Sequence, residues 1–322
     1  MTDAEWRLIR MLSLGQPCSG EDLGRDLGVT RAAVWKMIKS LRSHAFDIVS
    51  QPGRGYVLNQ AMDWLDAAVL QSGLQSQGVQ VQVFNELDST NQELLRQLAA
   101  GHDGHAVALL AEQQTAGRGR RGRSWSSPLA RNFYATVGWR FEGPVSRLAG
   151  LSLAVGVGLA RALEQLLGQS IGLKWPNDLL LAGRKLGGIL IELTGDASGP
   201  CVAVIGVGVN HRGFPADQEP DQPWNCLEHH VNVSRTDLAL CLLTAMVATL
   251  ERFAEFGFQD AREAFLARDV LRDQPLALHQ SGIASISGWG RGVDLAGNLL
   301  VERQGVLHTI SGGEVSVRSA SA

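Results

Sequence analysis

One segment of the chain combines arginine and glycine in a pattern suited to holding an anion. Residues 117–125 read Gly-Arg-Gly-Arg-Arg-Gly-Arg-Ser-Trp, with four arginines among the first seven positions. Guanidinium groups donate paired hydrogen bonds to phosphate or carboxylate oxygens, and glycine lets the backbone approach a ligand closely. The segment therefore predicts an anion-binding loop that Trp125 closes.

The loop formally matches G-x-G-x-x-G, but its context excludes the dinucleotide fingerprint. That fingerprint needs a helix to begin inside the loop. Here the loop continues into residues 124–128, Ser-Trp-Ser-Ser-Pro, which form helices poorly, and no Lys-Ser or Lys-Thr pair follows as in a P-loop. A phosphate clamp is the favoured interpretation; a solvated basic loop or a second nucleic-acid contact is the alternative.

A second polar cluster follows a predicted strand. Residues 174–178 read Lys-Trp-Pro-Asn-Asp, and the proline biases the residue before it toward extended geometry. Asn177 and Asp178 thus place an amide and a carboxylate at the strand end. A hairpin follows, and Lys185 begins its returning strand. The glycine pair that ends in Gly188 indicates close approach of a ligand or another backbone.

Polar residues also begin a predicted helix at residues 88–93, Asp-Ser-Thr-Asn-Gln-Glu. Thr90 and Glu93 have the spacing of a capping box, which explains them without any ligand. The functional alternative is that hydroxyls at a strand-to-helix junction hydrogen-bond a small polar molecule. Taken locally, the pattern favours the cap.

The sequence lacks the H-E-x-x-H motif of zinc hydrolases. The four cysteines are Cys18, Cys201, Cys226 and Cys241. Their spacing forms no disulfide framework, so reduced thiols are expected. Cys226, His229 and His230 offer three metal ligands but no fourth at the usual spacing. No structural metal is predicted.

Length and composition indicate a globular protein of about two domains. The chain has 322 residues, of which 45% are hydrophobic and 19% charged. The longest charge-free apolar stretches, residues 148–160 and 238–250, fall short of the ~20 residues that cross a bilayer. The amino terminus lacks the features of a signal peptide. A soluble, cytoplasmic protein without membrane contact is expected.

The amino-terminal region carries the features of a winged helix-turn-helix. Residues 1–60 have a net charge of +2, whereas the remainder has −5. A short turn at Gly28 separates two predicted helices, and Val34, Ile38 and Leu41 give the second helix its apolar face. The outward residues predicted to bind DNA are Thr30, Arg31, Trp35, Lys36, Lys39 and, in the wing, Arg54. The alternative is a helical interaction module with a solvated basic face.

The remaining chain mixes strands and helices without regular βαβ alternation, which indicates an α+β fold. The acidic segment 61–70 is interpreted as a connection between domains. After residue 272, short apolar runs alternate with turn residues, as in a small β-barrel. The predicted domains are 1–62, 63–271 and 272–322.

These segments together resemble the bacterial bifunctional biotin–protein ligases that also repress biotin synthesis. The resemblance covers nearly the whole chain. Its motifs are the winged helix and residues 88–91, 117–125, 174–178, 185–190 and 312–318. The arginine loop combined with Lys-Trp-Pro-Asn-Asp is specific, whereas either alone is only suggestive. The family pattern often has a basic residue before the loop tryptophan, where this chain has Ser124.

The resemblance implies a central domain like that of class II aminoacyl-tRNA synthetases and a carboxy-terminal SH3-like barrel. It also implies a two-step reaction with Mg²⁺ and ATP. Biotin's carboxylate attacks the α-phosphate to give biotinyl-5′-adenylate, and a lysine of the biotin carboxyl carrier protein of acetyl-CoA carboxylase then displaces AMP. The enzyme implied is a biotin–[biotin carboxyl-carrier protein] ligase.

The resemblance assigns site residues by position. Biotin would contact Ser89, Thr90, Asn91, Gln114, Arg118, Gly119, Arg120, Lys185 and Gly188. The catalytic groups would be Arg118, Arg120, Asp178 and Lys185. The loop over the adenylate would include Gly117, Arg121, Gly122, Arg123 and Trp125. Asn177 and Asp178 would serve the ATP and metal side or orient the incoming lysine, two roles that the sequence does not separate.

The adenylate is also expected to act as corepressor, favouring a homodimer that binds a two-fold operator of the biotin-synthesis genes. Two alternatives stay open from the sequence. One is a ligand-sensing repressor without catalysis. The other is a lipoate-type acyl-adenylate ligase that shares the catalytic core.

Overall fold

Three helices and a hairpin form the first part of the chain. The computed structural model describes residues 1–60, 62–196, 198–280, 283–311 and 315–319. Contacts divide the chain into two units, Met1–Trp64 and Leu65–Ala322. The first unit contains α1 (Asp3–Leu12), α2 (Gly20–Leu27), α3 (Arg31–Ser43), β1 (Ile48–Gln51) and β2 (Gly55–Leu58). The boundary at 62 and a separate domain from 272 stay predictions.

Short polar side chains set where these helices begin. Thr2 forms a capping box with Glu5, Ser19 accepts from the backbone N–H of Asp22, and Thr30 accepts from that of Ala33. The core of the unit is aliphatic, and its fully buried members include Leu8, Ile9, Leu12, Leu23, Val34 and Leu41. The periodicity of α3 therefore produces the buried face that the sequence predicts.

A seven-stranded sheet forms the centre of the second unit. Its strands are β3 (Gln80–Leu87), β4 (Val107–Gln114), β5 (Phe133–Phe141), β6 (Ile171–Lys174), β7 (Asp178–Leu181), β8 (Arg184–Gly195) and β9 (Cys201–Val209). Their order is β3-β4-β5-β9-β8-β7-β6, and only the β3–β4 pair is parallel among the described ladders. The β7–β8 hairpin turns at residues 182–183, which leaves Lys185 at the start of the returning strand as predicted.

Five helices accompany this sheet. They are α4 (Ala67–Leu74), α5 (Thr90–Ala99), α6 (Leu151–Leu167), α7 (Arg235–Phe256) and α8 (Gln259–Leu266). Apolar side chains of α6 and α7 join those of β5, β6, β8 and β9 in one large buried cluster. The helices and one face of the sheet thus form the main core, and this packing fixes the positions of the strand ends.

The segment 61–70, interpreted as a connection between domains, contains the start of a helix in its second half. Asp66 accepts hydrogen bonds from the N–H groups of Ala68 and Val69, which starts α4 at residue 67. Leu70 and Leu74 are then fully buried. Asp66, which was assigned to the connection between domains, is therefore a helix cap.

Helix α6 is apolar enough to raise the question of a membrane span. Within the described part of the chain, Val145–Leu167 alone has the length and composition to cross a bilayer, and more than half of its most apolar part is buried. Its buried residues pack in the core cluster with those of α7. The apolar character of α6 is accounted for by that packing.

The chain closes with a five-stranded antiparallel sheet. Its strands are β10 (Pro275–Gln280), β11 (Ile283–Val293), β12 (Leu299–Arg303), β13 (Val306–Ile310) and β14 (Val315–Ser319), in the order β13-β12-β11-β10-β14. The predicted strands are present. No β13–β14 ladder occurs among the described strand pairs, so closure into a barrel stays a prediction. The start of the 312–318 motif, residues 312–314, lies outside the described residues.

A buried ion pair joins the sheet to α7. Arg235 lies 2.6 Å from Glu112, and both side chains are almost fully buried. Glu112 also accepts from the backbone N–H of Leu65, and Arg235 donates to the backbone oxygen of Asn132. Because both charges are removed from water, each depends on the other.

We expect Glu112→Gln to destabilise the protein by about 3–5 kcal/mol, because it leaves Arg235 charged and buried without its carboxylate. Urea unfolding of the full chain measures the change. The matched control is Asp103→Asn, which breaks an exposed pair with Arg140 and should cost less than about 1 kcal/mol. Equal effects of the two substitutions would show that the buried pair has no special role.

Candidate active site and nucleic-acid interface

A cavity of about 480 Å³ opens where the arginine loop, the start of α5 and the ends of β6 to β9 come together. This volume is typical of small-molecule sites. The predicted residues that line it are Ser89, Thr90, Asn91, Gln114, Arg118, Gly119, Arg120, Arg121, Arg123, Trp125, Asn177, Asp178, Lys185 and Gly188. Gly117 and Gly122 are not among the lining residues. Residues from the start of α5, the arginine loop, the β7–β8 hairpin and β9 thus meet at one place.

One end of the cavity is built from neutral polar groups that hold each other in position. The backbone N–H of Thr90 donates to Oε1 of Gln114 at 2.9 Å, and Nε2 of Gln114 donates to Ser127 at 2.8 Å. The Thr136 hydroxyl lies 2.7 Å from the Thr90 hydroxyl and 2.6 Å from Oδ1 of Asn91. These groups form a connected, nearly buried network.

The predicted capping box at Thr90 and Glu93 is therefore wrong. Ser89 is the N-cap residue of α5 and its side chain makes no capping bond. Gln114, 24 residues further along, satisfies the N–H of Thr90 instead. A tertiary partner has replaced the local one, which leaves the Ser89 and Thr90 hydroxyls at the cavity.

Glycines in β9 provide the space for this arrangement. A Cβ atom at Gly206 would overlap Oδ1 of Asn91, and one at Gly208 would overlap the indole of Trp125. A Cβ at Gly188 would meet the same indole at 3.4 Å. Glycine in these strands marks close approach of side chains from other segments, as the sequence suggested.

The arginine loop has a defined internal structure. The N–H of Trp125 donates to the oxygen of Gly117 at 2.8 Å, and that of Gly119 to the oxygen of Arg123 at 2.7 Å. Arg121 adopts a left-handed conformation with φ of 60°. Arg121 and Arg123 are exposed at the tip, whereas Arg118 and Arg120 are partly buried beside the cavity. The loop therefore sorts its arginines into two inner and two outer ones.

Arg118 has a counter-ion that the sequence reading missed. Its Nη2 lies 2.6 Å from Oε1 of Glu192, and Oε2 of Glu192 accepts from Nδ2 of Asn91 at 2.9 Å. Nη1 of Arg118 is buried without a hydrogen-bond partner among the residues that the structure describes. This donor is available to an anionic ligand. Two sequence features could have identified the residues that were missed. Glu192 is a carboxylate within the apolar run of β8, and Thr136 is a hydroxyl within the apolar strand β5.

Arg120 is held in a less favourable environment. Its Nη1 lies 3.4 Å from Oδ1 of Asn177. Burial, and after it the positive charge of Arg121, lowers the pKa of the Arg120 guanidinium. An anion bound beside Arg120 would relieve both effects, so this position favours a negatively charged group.

Lys185 and Asp178 form an ion pair across the β7–β8 hairpin. Nζ of Lys185 lies 2.8 Å from Oδ1 of Asp178 and 5.5 Å from the centre of the Trp125 ring. Asn177 donates through Nδ2 to the backbone oxygen of Ile189 at 2.9 Å. Asn177 and Asp178, whose roles the sequence could not distinguish, thus have different contacts. Asn177 ties the β6–β7 junction to β8, and Asp178 balances Lys185.

The first unit presents a separate basic surface. Arg31, Lys36 and Lys39 are exposed on α3. Trp35 is 54% exposed, and Nζ of Lys39 lies 5.7 Å from the centre of its ring. This surface fits the electrostatic footprint of a DNA-binding helix.

Other residues of this surface have structural contacts as well. The Thr30 oxygen caps α3, and Arg54 is exposed in the β1–β2 turn. Arg42 is also exposed on α3, and it donates to the backbone oxygen of Ile48 at 2.7 Å. Arg42 therefore connects α3 to the hairpin, and its guanidinium is partly used within the unit.

Comparison with known proteins relates both units to described families. Residues 83–210 match the biotin/lipoate A/B protein ligase family, and residues 7–57 match a helix-turn-helix domain. The chain is 40% identical to the bifunctional ligase/repressor BirA of Salmonella typhimurium, over 97% of each chain. It is 39% identical to the protein of the same name in Escherichia coli, over 98% of this chain and 97% of that one.

Solved structures give the same relationship. A biotin protein ligase from Aquifex aeolicus, in complex with biotin and ATP, superimposes with a TM-score of 0.62 at 26% identity. The match covers 74% of this chain and 99% of the other. The likeness thus includes overall fold as well as sequence.

We expect Thr136→Val to raise the KM for the small-molecule ligand at the neutral end about tenfold, since Thr90 and Asn91 lose their shared partner. Isothermal titration or substrate-dependent turnover measures the change. The control is Thr249→Val, which removes a hydroxyl bonded only within α7 at 2.7 Å and should leave KM unchanged. An unaltered KM in Thr136→Val would mean that this network does not position the ligand.

Proposed function

The chain belongs to the family of bifunctional biotin–protein ligases and repressors, and on this basis we propose that it joins biotin to a carrier-protein lysine in two steps driven by ATP. One observation supports this most. Arg118, Arg120 and Lys185 line a cavity whose other end is neutral and polar. Biotin has a matching division, with an uncharged ureido ring at one end and a carboxylate at the other.

In the first step, a carboxylate oxygen of biotin attacks the α-phosphorus of ATP. A new oxygen–phosphorus bond forms, the bond to the β-phosphate breaks, and pyrophosphate leaves with biotinyl-5′-adenylate remaining. Both reactants are anions, so cations fixed near the reacting atoms lower the barrier. Arg118 and Arg120 hold the carboxylate and the α-phosphate, and Lys185 stabilises the charge that develops on the phosphate oxygens.

The described residues also suit Mg²⁺ beside the triphosphate. Asp178 is the only carboxylate among the cavity-lining residues within the described ranges. Mg²⁺ usually takes one or two carboxylates together with water and phosphate oxygens, so Asp178, with the amide oxygen of Asn177, fits it. When bound, Mg²⁺ neutralises phosphate charge. Asp178 also keeps Lys185 in place at 2.8 Å before the nucleotide arrives.

In the second step, the uncharged amine of a lysine on the biotin carboxyl carrier protein attacks the carbonyl carbon of the adenylate. An amide bond forms, the carbon–oxygen bond to the phosphate breaks, and AMP leaves while the lysine nitrogen loses a proton to solvent. Arg118 and Arg120 stabilise AMP as the leaving group. No covalent bond to the enzyme is needed.

The arginine loop excludes water from this hydrolysable anhydride. Arg121 and Arg123 lie exposed at its tip, where their like charges repel. Phosphate oxygens reduce that repulsion and favour a closed loop. Trp125 already lies against β9 at Gly208, which gives the closed loop a fixed base.

The winged helix makes the same chain a transcriptional repressor. We propose that the adenylate, by ordering the loop, favours a homodimer, and that the dimer places two winged helices on a two-fold operator of the biotin-synthesis genes. The protein acts in the cytoplasm, where carrier protein and DNA are both present. Its four cysteines are free, which suits a reducing compartment.

We expect Lys185→Ala and Arg120→Ala each to slow biotin-dependent pyrophosphate release about 10²–10³-fold, because each removes one pre-positioned cation. Purified protein with biotin and Mg-ATP, with and without carrier domain, provides the assay. The control is Arg184→Ala, an exposed cation next to Lys185 on the same strand, which should retain full rate. Normal carrier biotinylation by Lys185→Ala, or preferential use of lipoate, would contradict the proposal.

We expect biotin plus ATP to raise the affinity of the protein for promoter DNA of the biotin-synthesis genes.

Lys36→Ala and Lys39→Ala should each weaken binding to all DNA sequences. Each should also reduce the magnitude of the slope of log K against log salt by about one. Electrophoretic mobility shift at several salt concentrations measures both effects. Arg25→Ala, whose guanidinium pairs with Asp22 within α2, is the control. If biotin plus ATP left the DNA affinity unchanged, the proposed coupling between adenylate formation and operator binding would be ruled out.

A further inference from the structure

A second cluster of chemically capable side chains lies outside the cavity, in the segment that follows β9. Cys226 precedes a short 3₁₀ turn, Leu227–His229, that carries Glu228 and His229. Sγ of Cys226 lies 3.6 Å from Nδ1 of His229 and 3.9 Å from Oε1 of Glu228. The three ligand atoms lie within 4.8 Å of one another. A thiol, an imidazole and a carboxylate are the donor types that Zn²⁺ takes.

The spacing of these atoms suits a tetrahedral ion. With bonds of ~2.3 Å to sulfur and ~2.0–2.2 Å to nitrogen or oxygen, two tetrahedral ligands lie about 3.4–3.6 Å apart. The distance between Cys226 and His229 already has this value. The distance from Cys226 to Glu228 exceeds it by a few tenths of an ångström, which rotation of the exposed Glu228 side chain can remove.

Backbone contacts hold the turn in this conformation independently of the three donors. The N–H of Leu227 donates to the oxygen of Asn210 at 3.1 Å, and that of Glu228 to the oxygen of His211 at 2.9 Å. The N–H of Cys226 donates to Oδ1 of Asn225. The backbone that carries the donors is therefore in place before any ion arrives, and only the exposed side chains of Glu228 and His229 need further ordering.

Burial of the three residues leaves a route for the ion. Cys226 is fully buried, whereas Glu228 and His229 are exposed. An ion can enter from the solvent side and reach the thiol between them. Three protein ligands then leave a fourth position for water, the arrangement of zinc sites that exchange ligands.

His230, which the sequence also offered as a ligand, is used elsewhere. Its Nε2 lies 3.3 Å from Oδ1 of Asn225, and its Nδ1 lies 3.5 Å from Nε2 of Gln169. Glu228 takes the place that the sequence reading gave to His230. This exchange explains why spacing along the chain did not predict the ligand set.

We propose that Cys226, Glu228 and His229 bind one divalent cation of the zinc class, with a fourth coordination position open to solvent. The thiol releases its proton to solvent as the sulfur binds. The segment just before Cys226 is also hydrogen-bonded to the backbone of Lys185. The backbone N–H of Lys185 donates to the oxygen of Pro223 at 3.1 Å, and its backbone oxygen accepts from the N–H of Asn225 at 2.9 Å. A bound ion thus stiffens the segment that supports this lysine.

The test is a Co²⁺ titration of the full chain after treatment with a chelator, followed by thiolate-to-cobalt charge-transfer absorbance. One equivalent of Co²⁺ should bind, Zn²⁺ should displace it, and Mg²⁺ should not. Cys226→Ser should abolish the absorbance. Glu228→Gln and His229→Gln should each weaken binding at least tenfold, and because both residues are exposed, these variants test the site even if Cys226→Ser does not fold.

Matched controls are Cys241→Ser and His230→Gln, which should bind as the parent does. The proposal is overturned if no charge-transfer band forms, if the band survives in Cys226→Ser, or if Glu228→Gln and His229→Gln both bind as tightly as the parent. Since the readout is absorbance of the bound ion, the result does not depend on ligase activity or on DNA binding.

Discussion

The site rests on keeping several positive charges close together in a partly buried cavity. Arg118 and Lys185 each have one carboxylate partner, Glu192 at 2.6 Å and Asp178 at 2.8 Å. Arg120 has the amide oxygen of Asn177 within hydrogen-bond reach and is attracted by Asp178, but burial and the charge of Arg121 lower its pKa. The free protein is therefore incompletely neutralised at the point where an anion is to bind. Reactants that carry negative charge complete this balance, which makes the same cations useful for binding and for catalysis.

The charged end and the neutral end of the cavity form one connected structure. Glu192 contacts Arg118 on one side and Asn91 on the other, and Asn91 contacts Thr136. The arginine loop is thus linked through a few hydrogen bonds to the neutral polar end of the cavity. Glycines of β9 make this possible, because any side chain at Gly206 or Gly208 would occupy the same space. Strand β9 thus leaves room for the side chains of Asn91 and Trp125, and the neighbouring strand β8 carries the charged residues Lys185 and Glu192.

Much of the fold was predictable because it depends on near neighbours in the chain. The apolar repeat of α3, the turn before it, the hairpin that carries Lys185 and the short strands after residue 272 all follow from local periodicity and turn chemistry. The same holds for the arginine loop, whose composition alone indicates an anion. Element starts were less predictable, because Asp66 caps a helix inside a segment read as linker.

The sequence by itself determined which residue types are present and which local elements carry them, and for the arginine loop this already indicated binding of an anion. Only the tertiary structure decided the partners. Gln114 rather than a local cap satisfies Thr90, Glu192 lies 74 residues from Arg118, and Glu228 rather than His230 faces Cys226. The physical reason is that a hydrogen bond or ion pair depends on distance in space, and strand order brings together groups that no local pattern relates.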